Sequence, residues 1–177
     1  MRTLSMVLLL ASALAAADAG RVSPAFQIHR ADAAPLTLSQ YHGKVVLLAF
    51  IDTNCPHCQA LTGVISAISR EYAPKGVQVL ECAFNEGAKD KVAGFIHTYN
   101  PPFPVGYADR PAVLAYLKYT PNDERPLYVP HLVFLDRQGV IRQDVAGEAP
   151  FMQNPDANIR AELDKLLKAA PARTPKK

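Results

Sequence analysis

Tryptophan is absent from the 177 residues, cysteine occurs three times and glycine nine times. Three cysteines are too few for a small domain held together by a disulfide framework. The net charge is +3, from 19 basic and 16 acidic residues. A surplus that small gives no reason to expect a nucleic-acid partner. No apolar run reaches the roughly 18 residues that a membrane-spanning helix needs. What the chain does have is apolar content, 49% of residues against 20% charged, with 15 prolines. That is the balance of a globular domain, with enough material for one sizeable core.

The first 19 residues read as an address. Arg2 supplies a positive start, residues 4–14 are apolar but too few to span a bilayer, and Ala15, Ala16, Ala17 and Ala19 offer small residues at the cleavage spacing. This is the pattern of a secretory signal peptide, cut after Ala17 or Ala19. The chain therefore divides into a signal peptide at 1–19, one domain at 20–170 and a basic, disordered tail at 171–177. The expected place is the periplasm or another exported compartment, with no membrane span after cleavage. Cysteines there can hold disulfides.

Along the mature chain, helix-spaced and strand-like segments alternate. Residues 25–29 suit a short strand, and residues 36–43 a helical turn ended by Gly43. Residues 44–51 (Lys-Val-Val-Leu-Leu-Ala-Phe-Ile) form a continuous apolar run, as in a strand buried on both faces. Pro56 suits the first position of a helix, and Leu61, Val64, Ile65, Ile68 and Tyr72 continue at helical spacing. Residues 77–84 give a second apolar strand. Val92, Phe95, Ile96 and Tyr99 mark a second helix, and residues 111–118 a short third. Residues 131–135 and 140–145 read as a hairpin about the turn at Asp136-Arg137-Gln138-Gly139. Ile159, Leu163, Leu166 and Leu167 mark a last helix. The order predicts an α/β domain with a central mixed β-sheet flanked by helices.

The chemistry centres on Cys55-Pro56-His57-Cys58. Two cysteines two residues apart, opening a helix after a buried strand, form a thioredoxin-like redox motif. Unpaired N–H groups and the helix dipole favour negative charge at a helix N-terminus, and a thiolate is the attacking species in disulfide exchange. Cys55 is the expected nucleophile. Cys58, one turn further in, is the expected resolving thiol. His57 favours the Cys55 thiolate by charge or hydrogen bonding, and a stabilised leaving thiolate makes the pair more oxidising. Zinc would need four ligands at metal spacing, and Cys82 with His29, His42, His97 and His131 supplies no second pair. Cys82 reads as a buried small hydrophobe. The other reading of Cys82 is a third redox thiol near a strand's carboxyl end.

These residues carry a resemblance. From about residue 36 to 147 the chain resembles the thioredoxin-like TlpA/ResA group of exported thiol–disulfide oxidoreductases. The matching stretches are Leu38-Ser39-Gln40-Tyr41-His42-Gly43-Lys44-Val45-Val46, the Cys55–Cys58 motif, Phe103-Pro104-Val105, and the run from Val129-Pro130-His131 through Phe134-Leu135-Asp136 to Gly139. The resemblance implies a thioredoxin-like fold and a cis peptide before Pro130, facing the cysteine pair. Val129 would offer its backbone to a bound substrate strand. It also implies that Glu86 handles protons near Cys58; the residue type and its Asn85-Glu86-Gly87 setting fit a solvated turn equally. Where the family commonly has Phe-Trp-Ala-x-Trp before the first cysteine, this chain has Phe50-Ile51-Asp52-Thr53-Asn54. Both aromatic walls are lost and a more polar substrate surface is expected. A charged Asp52 would oppose His57 in its effect on Cys55. The buried acid of thioredoxin aligns with Ala49, leaving Glu86 as the expected replacement.

The expected activity is thiol–disulfide exchange with protein substrates, fed or drained by a membrane thiol partner. Electrons pass through the cysteines themselves, so no dissociable cofactor is called for. His57 argues for an oxidant and the resemblance for a reductase. The rival is a copper(I)-binding or metallochaperone module, in which Cys55 and Cys58 with a histidine such as His57 or His131 hold the metal, for which thiolates are suited.

Overall fold

The computed structural model describes residues 20–31, 33–120 and 122–169. The leader at 1–19 and the tail at 171–177 lie outside the described residues. Eight strands and four α-helices alternate among the described residues: β1 (Arg21–Val22), β2 (Gln27–Ile28), β3 (Leu36–Thr37), β4 (Val45–Ile51), α1 (Pro56–Tyr72), β5 (Val77–Ala83), α2 (Ala88–Tyr99), β6 (Val105–Tyr107), α3 (Arg110–Tyr116), β7 (His131–Leu135), β8 (Val140–Val145) and α4 (Pro155–Lys168). Six strands form one mixed sheet in the order β1-β8-β7-β4-β5-β6, while β2 and β3 make a separate antiparallel pair.

The apolar run at 45–51 becomes the central strand, and every residue in it is buried. It pairs in parallel with β5 and antiparallel with β7. Alternation along these strands sends side chains to two cores. Leu47, Ala49, Ile51, Leu132 and Phe134 face α1, α2 and α4. Leu48, Phe50, Leu80, Cys82, Val133 and Leu135 face α3 and the N-terminal segment around Phe26 and Ile28. The helical spacing of the sequence is what fills the first core. Leu61, Ile65, Ile68 and Tyr72 of α1, with Ile159, Leu163 and Leu166 of α4, are buried there along one stripe of each helix.

Three details differ from the sequence expectation. Residues 36–43 are a two-residue strand, β3, followed by a 3-10 turn at Leu38–Tyr41. The turn starts at Thr37, whose N–H is donated to Gln40 Oε1 at 3.4 Å. The sheet also gains β6 beside β5 and β1 beside β8. Strands of two or three residues carry no readable alternation and are fixed by pairing alone.

Gly106 in β6 shows how tightly the edge is built. His29 and Tyr107 exchange main-chain hydrogen bonds at 2.8 and 2.9 Å, bringing the β2 end onto β6. A Cβ at Gly106 would run into the His29 carbonyl oxygen and sit 2.6 Å from Ile28 Cγ2. Backbone cannot swing aside as a side chain can, so Gly106→Ala should cost about 3 kcal/mol. The urea midpoint of unfolding checks this.

Candidate active site

The site lies at the carboxyl ends of the parallel strands β4 and β5, where α/β folds collect their chemistry. β4 ends at Ile51, and residues 52–54 turn the chain into α1. Asp52 Oδ1 accepts hydrogen bonds from the Asn54 N–H at 2.7 Å and from Asn54 Nδ2 at 3.1 Å. Gln59 Nε2 donates to the Thr53 carbonyl at 3.0 Å, and the Thr53 N–H is donated to Asn85 Oδ1 at 3.0 Å. The loop is thus tied both to its own helix and to the β5–α2 turn. Cys55 is the N-cap of α1 and Pro56 occupies its first turn. Both cysteines are thiols, Cys55 half-exposed and Cys58 buried.

Cys58 is fully shielded from solvent. Burial pushes its thiol strongly up, a main-chain hydrogen bond at Asp52 works the other way, and the Cys55 sulfur and the Asp52 charge add to the rise. Asp52 therefore bears on the buried thiol. Exposure divides the two sulfurs as the motif requires, one reachable and one sheltered.

The Val129–Pro130 peptide is cis. Pro130 and Val129 line one groove together with His57, so the start of β7 and the first turn of α1 share a wall. His57 itself is exposed.

The sequence reading missed the acid of the site. Glu81 lies in β5 directly opposite Ala49 of β4, one strand over from the position searched. It is fully buried on the α1 face of the sheet, with Val79 and Ala83 on either side. Burial raises its carboxyl to about 8, against a weaker lowering by the Thr62 hydroxyl. Thr62 Oγ1 stands 2.8 Å from Glu81 Oε1 and 3.0 Å from the Cys58 carbonyl oxygen. A hydroxyl has one proton to give. Both contacts are satisfied when Glu81 is protonated and donates to Thr62, which donates to Cys58. The second carboxyl oxygen, Oε2, is buried without a partner among the described residues. A lone acidic residue in a mostly apolar strand was the signal in the sequence.

The family pattern described as AhpC/TSA family matches residues 19–144, most of the chain. The chain belongs to the AhpC/TSA family. Within its sequence relatives, the thiol-disulfide oxidoreductase ResA of Oceanobacillus iheyensis is 29% identical over 132 residues, which are 72% of this chain and 65% of that protein. The chain thus spans just under two thirds of that relative's length. Among solved structures, a thioredoxin-family thiol:disulfide interchange protein from Chlorobium tepidum superposes with a TM-score of 0.69 at 20% identity, covering 84% of this chain and 97% of that one. A thiol:disulfide interchange protein from Bacteroides sp. gives a TM-score of 0.66 at 17% identity, covering 86% and 92%. The fold is thioredoxin-like.

In this AhpC/TSA member the remaining candidates divide between the turn after β5 and the far face of the sheet. Glu86 is exposed in the β5–α2 turn, its main-chain carbonyl accepting from Lys91 Nζ at 3.1 Å and Asn85 Nδ2 at 3.3 Å. The expectation that it alone could replace a missing buried acid is corrected by Glu81. Cys82 is buried, but among Leu80, Phe84 and Val133 on the opposite face of the sheet. Burial alone pushes its thiol strongly up. It is core, not a third redox thiol of the pair. His131 shares the side-chain parity of Val133 and Leu135, so it too faces away. Only 4% of it is exposed, and its Nε2 is paired with Asp144 Oδ1. Asp144 in turn takes Arg21 Nη2 at 3.4 Å, and Arg21 also donates to the Tyr116 carbonyl at 3.2 Å. Burial raises the Asp144 carboxyl, and His131 and Arg21 together outweigh it, so the net direction is down. Among the described residues, no three His, Cys, Asp or Glu side chains are grouped closely enough to hold a metal ion.

Proposed function

We propose that the chain is an exported thiol–disulfide oxidoreductase that exchanges disulfides with protein substrates through Cys55 and Cys58. The observation that carries this reading is the pair itself: a half-exposed thiol at the N-cap of α1 and a buried thiol one turn inward. Similarity to ResA, a thiol-disulfide oxidoreductase by name, supports it. Export rests on the leader pattern at 1–19.

In the reducing direction, the Cys55 thiolate attacks a sulfur of the substrate disulfide. A Cys55–substrate disulfide forms, the substrate S–S bond breaks, and one substrate thiolate leaves. Cys55 stands at the N-terminal end of α1 with His57 in the same first turn, where the helix's first N–H groups point outward. Cys58 then gives up its proton and attacks the Cys55 sulfur. A Cys55–Cys58 disulfide forms and the second substrate thiolate departs. Two electrons have moved from protein to substrate, and a membrane thiol partner restores the dithiol. The oxidising direction reverses each step.

Cys58 is too strongly held in its protonated form to attack unaided. We assign its proton to Glu81, in preference to Glu86, because Glu81 is buried on the same face of the sheet and is held, through Thr62, against the main-chain carbonyl of Cys58. Pro130 shapes the groove across which the substrate chain lies. The copper(I) reading has less behind it. His131 is on the other side of the sheet, which leaves His57 as the one histidine beside the pair.

Equilibration of the pair with glutathione and dithiothreitol, followed by mass-shift trapping, tests the reading. A potential near roughly −270 mV identifies a reductase, and one near about −120 mV a disulfide donor. A pair that equilibrates with neither overturns the assignment.

A further inference from the structure

Two recesses flank the Cys55 end of α1, and they differ in kind. One, of about 200 Å³, is bordered by Thr53, Asn54, Gln59, Lys91 and Thr98, with Phe95 and Tyr99 behind them. The other, of about 480 Å³, runs from His57 along α1 to the start of α4, and its surface is formed chiefly by Leu61, Val64, Tyr128, Pro130 and Met152. Leu61 is buried, Val64 and Met152 are half-buried, and the Tyr128 side is open, with 44% of the residue exposed. Loss of the aromatic walls has therefore made only one flank polar. The second flank is an apolar trough whose only titratable side chains besides Tyr128 are His57 and Glu148.

His57, two residues from Cys55 in the first turn of α1, and Pro130 of the cis segment both line this trough, so a polypeptide that reaches Cys55 from this side lies over it. In an extended segment, side chains two residues apart point the same way at about 7 Å spacing. A cysteine held at Cys55 therefore sends a near neighbour toward Val64 and Met152. An apolar side chain gains there by leaving water, whereas a charged one loses its hydration without a partner.

Resting on the reading of Cys55 as the nucleophile, we propose that the trough selects polypeptide disulfides with an aliphatic or aromatic side chain two residues from the reacting cysteine. The probes are homodimeric disulfides of short cysteine peptides, with leucine or serine placed two residues before or two residues after the cysteine. Glutathione disulfide serves as the small-thiol reference. With the reduced full-length protein, the leucine peptide in one placement should react about tenfold faster than its serine counterpart, as partial burial of one leucine side chain supplies. In Ala60→Glu, which puts a carboxylate at the exposed lip, the leucine-to-serine ratio should fall to near one. Met152→Gln, which keeps the volume and adds polarity, should lower the same ratio and stands in if the first variant does not fold. Equal rates for leucine and serine in both placements, with glutathione disulfide reacting normally, overturn the proposal and leave the redox reading intact. Glutathione disulfide and all peptides unreactive overturn both.

Discussion

Glu81→Gln should slow the release of substrate from Cys55 about a hundredfold at pH 9, the scale of a lost general base. The reason lies in how Cys58 is buried. Its thiol is pushed strongly up by desolvation, with the Cys55 sulfur and Asp52 charge adding to the effect, so the resolving attack needs an acceptor for the proton. Glu81, raised to about 8 by burial, is neutral below that pH and a carboxylate above it. The resolving rate of the natural protein should therefore climb through about pH 8, and the glutamine variant should lose that inflection. Glutamine keeps the shape and can donate to Thr62 as the neutral acid does, so the fold is not the variable. Acid quench followed by mass measurement reads the accumulated Cys55–substrate disulfide directly. Asp52 is the competing acid. Its Oδ1 is already engaged by Asn54, and Asp52→Asn should retain the inflection. An inflection that survives Glu81→Gln and vanishes in Asp52→Asn would reverse the assignment.

The same residue sets a pH dependence of stability. Its carboxyl goes from an ordinary 4.5 to about 8 on folding, so between those values the folded state holds a proton that the unfolded chain has lost. Stability then falls as pH rises. The contribution is fully present below about 4.5, declines from there, and is gone once the pH has passed about 8. The whole interval corresponds to about 5 kcal/mol. Urea midpoints taken from pH 5 to 9 should slope downward in the natural protein and run nearly flat in Glu81→Gln.

Much of this is legible in the sequence, and the gaps have physical causes. A strand buried on both faces announces itself as a continuous apolar run, which is why residues 45–51 and 131–135 are readable in place, whereas residues 140–145, only partly buried, are legible as the second arm of the hairpin after the turn at 136–139. The cysteine motif is local, and so is its helix start at Pro56. Glu81 was missed because its meaning is not local. Ala49 and Glu81 are 32 residues apart and meet only through parallel register, which no spacing within β5 encodes. His131 shows a related limit. Alternation allowed it either face, and pairing with Phe50 on β4 decided for the far one. The surface around Cys55 was legible only in part, for a third reason. Residues 50–54 describe one flank of Cys55, whereas the other is assembled from α1, residues 128–130 and the approach to α4.

Gly147→Ala should lower the rate of attack on peptide disulfides between about ten- and a hundredfold while leaving the equilibrium potential of the cysteine pair nearly unchanged. A Cβ at this position would stand 2.9 Å from both the carbonyl carbon and oxygen of Val129 and 3.2 Å from the Pro130 oxygen. All three are main-chain atoms, so relief requires the Val129–Pro130 segment itself to shift. That segment forms the wall opposite His57, and misplacement of a positioning group by about 1 Å is enough for a loss of this size. Cys55 caps α1 and Cys58 lies within it, whereas the atoms a Cβ at Gly147 would meet are the Val129 and Pro130 main chain, which is why the potential should hold. Overpacking should also cost about 1–3 kcal/mol of stability, so rates are to be compared well below the unfolding transition. Glutathione disulfide separates the two ways the variant might act. It has little chain to lay across the Val129 edge, so its rate should fall far less than that of the peptides. An equal fall for both would mean that Gly147 keeps Cys55 itself in place, and that the Val129–Pro130 segment does not seat the substrate chain.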